Sequence, residues 1–192
     1  MYNEIKDAWK NCIYLYAKPG KFTINNAENS GALRRMINRY LLPLLIIASA
    51  PSFFILTIDY EWHIALFKTI INFASLYLGV WGVYGITWYY VTDSPIGNKR
   101  ESYLAPLIIN SYSLYVIPIS IFYANELHVW RFIAGAIAIY YALRTIIAGV
   151  NNSQDIENNI KTYTITLIIV TTVTFPFLIQ RIATLFFNLP IS

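Results

Sequence analysis

The chain has 192 residues, of which 57% are hydrophobic, 17% aromatic and only 12% charged, with a mean hydropathy of +0.48. Soluble domains average about 25% charged residues, so this composition argues against an ordinary soluble domain and for a membrane protein. The formal net charge of +4 is better explained by its distribution along the chain than by contact with nucleic acid, and the single cysteine, Cys12, excludes an intramolecular disulfide.

The first 40 residues are polar and mixed, and no short cationic leader with a cleavage site is evident, so no signal peptide is expected. Within them, MYNEIKDAWKNCIYLYAKPGKF is too polar to cross a bilayer. Ile5, Trp9, Cys12, Ile13 and Tyr16 recur at helical spacing, with Glu4, Lys6, Asp7, Lys10 and Asn11 on the other side. Pro19-Gly20 then ends the pattern. An amphipathic helix over 3–17 is expected, lying in the inner headgroup layer with Ile5, Trp9, Ile13 and Tyr16 in the interface and Lys6 and Lys10 exposed. Docking of this helix onto the protein's own spans or onto a partner is the alternative.

Residues 41–192 read as a membrane domain of five transmembrane helices, at about 41–58, 69–91, 103–123, 130–149 and 163–186. Each has close to the roughly 20 residues that a crossing takes. The fifth contains TYTITLIIVTTVTFPF, which is rich in β-branched residues and would pass for a strand in water. Its length, and the absence in lipid of partners for an open strand edge, favour a helix. Pro51, Pro118 and Pro176 fall within spans and should bend them, whereas Pro43 is expected in a first turn, where it is harmless. The fold class expected is therefore an all-α integral membrane protein preceded by an interfacial helix.

Orientation follows from Lys and Arg. With the N-terminus inside, 11 of the 14 lie in cytoplasmic segments, and only Lys68, Arg131 and Arg181 fall on the other side. The N-terminus is expected inside and the C-terminus outside a cytoplasmic (inner) membrane. Aromatic residues agree with this: Tyr40, Trp88, Tyr89, Tyr90, Tyr140, Tyr141 and Tyr163 fall near the inner boundary, and Tyr60, Trp62, Tyr123 and Trp130 near the outer one.

The second span carries three glycines, Gly79, Gly82 and Gly85, in LGVWGVYGITWYY. In water each would cost roughly 1 kcal/mol relative to alanine. Projected at about 100° per residue, Asn72, Ser75, Gly79 and Gly82 fall within roughly 80° of one another, and Gly85 drifts off. In the third span Pro106, Asn110, Ser113 and Ser120 share a face, with Ile117 between. Small and polar residues allow close backbone approach and interhelical hydrogen bonds in lipid, so these two stripes are expected to pack against each other as a dry seam. A polar substrate path along them is the competing reading.

No Asp or Glu falls within a predicted span, which argues against an ion-coupled pump. No phosphate-cradling glycine loop occurs, no Ser-His-Asp or Cys-His set can be assembled, and no cofactor is implied. Asp59, Glu61 and His63 in DYEWH, with Glu126 and His128 in NELHV, all fall on the outer side. Oxygen and imidazole ligands of this kind could bind a divalent metal, although such residues in water-facing loops are most often simply solvated.

Five helices behind a cytoplasmic N-terminal segment resemble the Yip (Ypt/Rab-interacting protein) domain family, particularly its bacterial branch. The likeness rests on LYAKPGKFTINNAEN, with its proline-to-phenylalanine stretch and following acidic residue, and on a first span of the type YLLPLLIIASAPSFF. It extends over nearly the whole chain, though its motifs are loose and hydrophobic. The Asp-Tyr-Pro motif of eukaryotic members is absent, so no GTPase-binding role and no catalytic residue set are carried over. The resemblance implies a non-enzymatic scaffold or adaptor whose partners are membrane lipids and other membrane proteins or further copies of itself. A small transporter or channel component, lipid-handling among the options, using the polar face of the third span, and a metal-dependent enzyme using the outer acid and histidine cluster are the two alternatives.

Overall fold

The computed structural model describes residues 6, 10, 13–21, 32–90, 100–124, 129–152 and 158–189. Every regular element among them is helical. A short helical turn at 13–17 leads to a 3₁₀ turn at Pro19–Lys21, and five long helices follow. The first, α1, runs over 32–59. The others are α2 (Trp62–Tyr90), α3 (Arg100–Ala124), α4 (Trp130–Asn151) and α5 (Asn158–Phe186). All five are long and apolar enough to cross a membrane, which is consistent with a multi-pass membrane protein.

Local physics explains how difficult sequences stay helical. Pro43 stands in the first turn of the α-helical stretch Leu42–Asp59, as expected, but α1 as a whole runs into it from Ala32, eleven residues earlier. A proline inside a helix clashes with the carbonyl four residues back. Here the preceding stretch, Ile37–Leu41, widens into a π-turn, with the Leu42 N–H donating to the Ile37 carbonyl five residues back. In α5 several threonines bond back onto their own helix: Thr166 to the Thr162 carbonyl at 2.9 Å, Thr171 to Leu167 at 2.8 Å and Thr184 to Gln180 at 2.7 Å. Hydroxyls that bond within the helix make β-branched residues tolerable where no water can serve them. The helix closes on Asn188, whose φ of 49° lies in the left-handed region. Leu189 N–H then reaches the Thr184 carbonyl and Asn188 N–H reaches Leu185, both at 3.1 Å.

The helices are not equivalent. In its most apolar stretch α3 is 89% buried, whereas α5 is 28% buried. α3 is the central helix, flanked by α1, α2 and α4; α5 packs on α2 and α4. The N-terminal turns close the arrangement on the α4 side. Large apolar residues such as Ile46, Phe54, Ile70, Leu78, Val170 and Ile182 face outward around the bundle.

Candidate functional site

The polar face expected for the third span is present on the central helix, and nearly all of it is withdrawn from solvent. Asn110, Ser113 and Ser120 are buried, as is Pro106. Each polar side chain bonds to a carbonyl of its own helix: Asn110 Nδ2 to Pro106 at 2.7 Å, Ser113 Oγ to Asn110 at 2.8 Å and Ser120 Oγ to Ile117 at 2.7 Å. Ser75 of α2 does the same, donating to the Ile71 carbonyl at 2.7 Å. Asn72 is 4% exposed, and its Nδ2 is buried with no hydrogen-bond partner.

The two stripes do not form the single seam expected of them. Ser113 and Ser120 meet α1: the Ser113 and Tyr40 hydroxyls lie 3.4 Å apart, and Ser52 Oγ donates to the Ser120 carbonyl at 3.5 Å. The glycines of α2 turn chiefly to α5. A β-carbon added at Gly82 would collide with the Phe175 ring, and one added at Gly79 would come 2.7 Å from the Pro176 ring and 2.5 Å from the Tyr112 hydroxyl. Beside Gly85 nothing lies within 4 Å. Between α2 and α3 a hydrogen bond is made by Tyr112, whose hydroxyl donates to the Leu76 carbonyl at 2.9 Å. The physical reason is size. A tyrosine spans the gap from α3 to the backbone of α2, the hydroxyls of Ser75, Ser113 and Ser120 donate within their own helices, and glycine leaves room for a proline ring. Neither Tyr112 nor Pro176 belongs to a small-residue stripe, so stripe-matching overlooks both.

The N-terminal turn departs from the expected face at Leu15 and Tyr16. Ile13 is 66% exposed and points away from the protein, whereas Leu15, not part of the predicted stripe, is 2% exposed within the core. Tyr16 turns inward, its ring edge-on to Tyr141 at 4.8 Å and its hydroxyl donating to the Leu114 carbonyl at 2.9 Å. Pro118, four residues beyond Leu114, has no N–H to offer that carbonyl. Tyr16 supplies the missing donor, so the turn is docked on the middle of the central helix. Ile5 and Trp9 lie outside the described residues.

At the other end of the molecule, Tyr60 and Glu61 join α1 to α2. Asp59 is half-buried, and His63 Nδ1 lies 3.5 Å from Glu61 Oε2, with both side chains mostly exposed. Among the described residues no group of three His, Cys, Asp or Glu side chains could hold a metal ion; Glu126 and His128 lie outside those residues. Lys68 is the residue that sequence reasoning missed here. It was expected ahead of the second span, but α2 begins at Trp62, so Lys68 sits inside the helix, 3% exposed. Its Nζ lies 4.0 Å from the centre of the Tyr60 ring. Arg131 and Arg181, the other two cations of this end, also lie against rings: Phe122 at 5.0 Å and Phe177 at 5.4 Å respectively. A cation held over an aromatic face is attracted by the ring quadrupole, the more so where water is excluded.

No family model, no curated protein and no solved structure matches this chain.

Proposed function

We propose that the chain is a non-enzymatic integral membrane scaffold or adaptor that organises partner proteins or lipids. In this reading it is a Yip-like protein of the bacterial type, set in a cytoplasmic membrane with its N-terminus inside and its C-terminus outside. The observation that carries the reading is the closed interior. The polar groups of the central helix are buried and bonded to their own backbone, whereas a route for ions or charged solutes needs charge or a ring of acceptors facing a wet lumen. An exterior of large apolar side chains supports insertion in lipid. One observation favours the transporter reading, the buried Asn72 amide without a hydrogen-bond partner, since a polar solute would satisfy it.

A cysteine scan separates the two. With Cys12 replaced by serine, thiols introduced at Asn72, Asn110 and Ser113 should resist a water-soluble maleimide in native membranes, while one at the exposed Asn151 should react. Ready labelling at positions 72, 110 and 113 would replace the scaffold with the transporter. Affinity purification of the full chain, with identification of the co-purifying chains and lipids, then tests the organising role; recovery of the chain alone, free of specific partners, would count against it.

A further inference from the structure

Residues 13–17, IYLYA, form a helical turn that is apolar on every side. Leu15 and Tyr16 face the protein, while Ile13 is 66% and Tyr14 46% exposed. A helix that is apolar all round belongs in a protein core or in lipid, because its outward side chains gain nothing from water. What covers Ile13 and Tyr14 is therefore decided by the depth at which the turn is docked.

Two helices give that depth independently. The Tyr16 hydroxyl donates to the carbonyl of Leu114, ten residues into the apolar span Leu104–Ala124 and ten from its end. The Tyr16 ring stands edge-on to Tyr141, eleven residues into the span Trp130–Asn151 and ten from its end. Each contact falls at the middle of a span, roughly 15 Å from either end at about 1.5 Å per residue. A tyrosine side chain covers less than half of that distance. The headgroup layer takes up only about 5–8 Å of each leaflet, so in a bilayer crossed by α3 and α4 the backbone at Tyr16 lies within the hydrocarbon. Backbone at that depth needs its hydrogen bonds made within the protein. Here Lys18 N–H donates to the Tyr14 carbonyl at 2.9 Å and Lys21 N–H to the Lys18 carbonyl at 3.0 Å, and Pro19 has no N–H to satisfy. Lys18 and Lys21 are exposed, and their long aliphatic stems let the amines reach the headgroups from that depth.

We propose that residues 13–17 are a re-entrant element inserted beside the central helix. Ile13 and Tyr14 lie against lipid acyl chains, and Tyr16 is the latch, closed on the Leu114 carbonyl that Pro118 leaves bare. This replaces the headgroup-level placement expected from the amphipathic pattern. The inference rests on the multi-pass reading and is independent of the scaffold role.

Depth-dependent quenching tests this on the full chain, with Cys12 replaced by serine, in vesicles of phosphatidylcholine and phosphatidylglycerol. A small fluorophore is placed singly at three positions. They are Ile13→Cys, Val170→Cys, which is 55% exposed and ten residues into the span Ile160–Phe186, and Asn151→Cys, exposed at the end of α4. Lipids brominated at mid-chain should quench the Ile13 label as strongly as the Val170 label, and aqueous iodide should quench only the Asn151 label. With Val170 quenched from the lipid, three results at Ile13 would each overturn the proposal: quenching by iodide, stronger quenching by bromines beside the ester groups, or quenching by neither agent, which would mean that protein covers the residue. No quenching of Val170 by brominated lipid would instead remove the multi-pass reading and the proposal with it. The latch has its own readout. Tyr16→Phe keeps the ring, so the unlabelled Ile13→Cys thiol should react with a water-soluble maleimide on the order of tenfold faster, as expected for a buried carbonyl left without its donor. Pro118→Ala in that background should restore the slow rate, and an unchanged rate in Tyr16→Phe would overturn the latch.

Discussion

Gly79→Ala is the smallest change that tests how α2, α3 and α5 fit together. The added methyl would lie 2.5 Å from the Tyr112 hydroxyl and 2.7 Å from Pro176 Cγ, both far inside van der Waals contact. Tyr112 can yield only by leaving the Leu76 carbonyl, a loss of about 0.5–1.5 kcal/mol. Pro176 sits within a continuous helix and can yield only if α5 shifts. Overpacking of this kind typically costs about 1–3 kcal/mol, and the better helix propensity of alanine returns up to about 1 kcal/mol. The net expectation is a destabilisation of about 2 kcal/mol, or a fall in Tm of about 4–8 °C for a chain of this size. Gly85→Ala, with nothing within 4 Å, should leave Tm unchanged or raise it slightly. Thermal unfolding of the detergent-solubilised protein, followed by circular dichroism, measures both. A double-mutant cycle sharpens the test: in a Tyr112→Phe background the hydroxyl is gone, so the alanine should cost less than it does alone. If Gly79→Ala and Gly85→Ala melt together, the three-helix contact described here is wrong.

Three further outcomes are expected. Tyr16→Phe leaves the Leu114 carbonyl without its donor and should loosen residues 13–21, seen as faster tryptic cleavage at Lys18 and Lys21; Pro118→Ala, which restores an N–H to that carbonyl, should reduce the effect. Tyr60→Leu removes the ring beneath Lys68 and should cost about 1–2 kcal/mol in thermal unfolding, whereas Tyr60→Phe, which keeps a ring, should be near neutral. Reporter fusions after Asn98 and after Ser192 should report opposite sides of the membrane; same-side signals would remove the proposed topology.

Much of the architecture follows from order along the chain. Five apolar runs of sufficient length each satisfy their own backbone as a helix, and this holds even for the threonine-rich fifth run, because hydrogen bonding within one helix needs no knowledge of its neighbours. The crowding of small and polar residues on one face of α3 is likewise visible from helical periodicity, as is Gly85's position off the glycine stripe. Which helix each face meets is not visible, because periodicity gives a direction around one axis and says nothing about what stands there. Ser113 and Ser120 meet α1, Gly82 meets Phe175 of α5, and Tyr112, one residue before Ser113, makes the bridge to α2. Tyr16 reaches Leu114 across 98 positions, because Pro118 leaves a carbonyl bare and only the fold brings a donor to it.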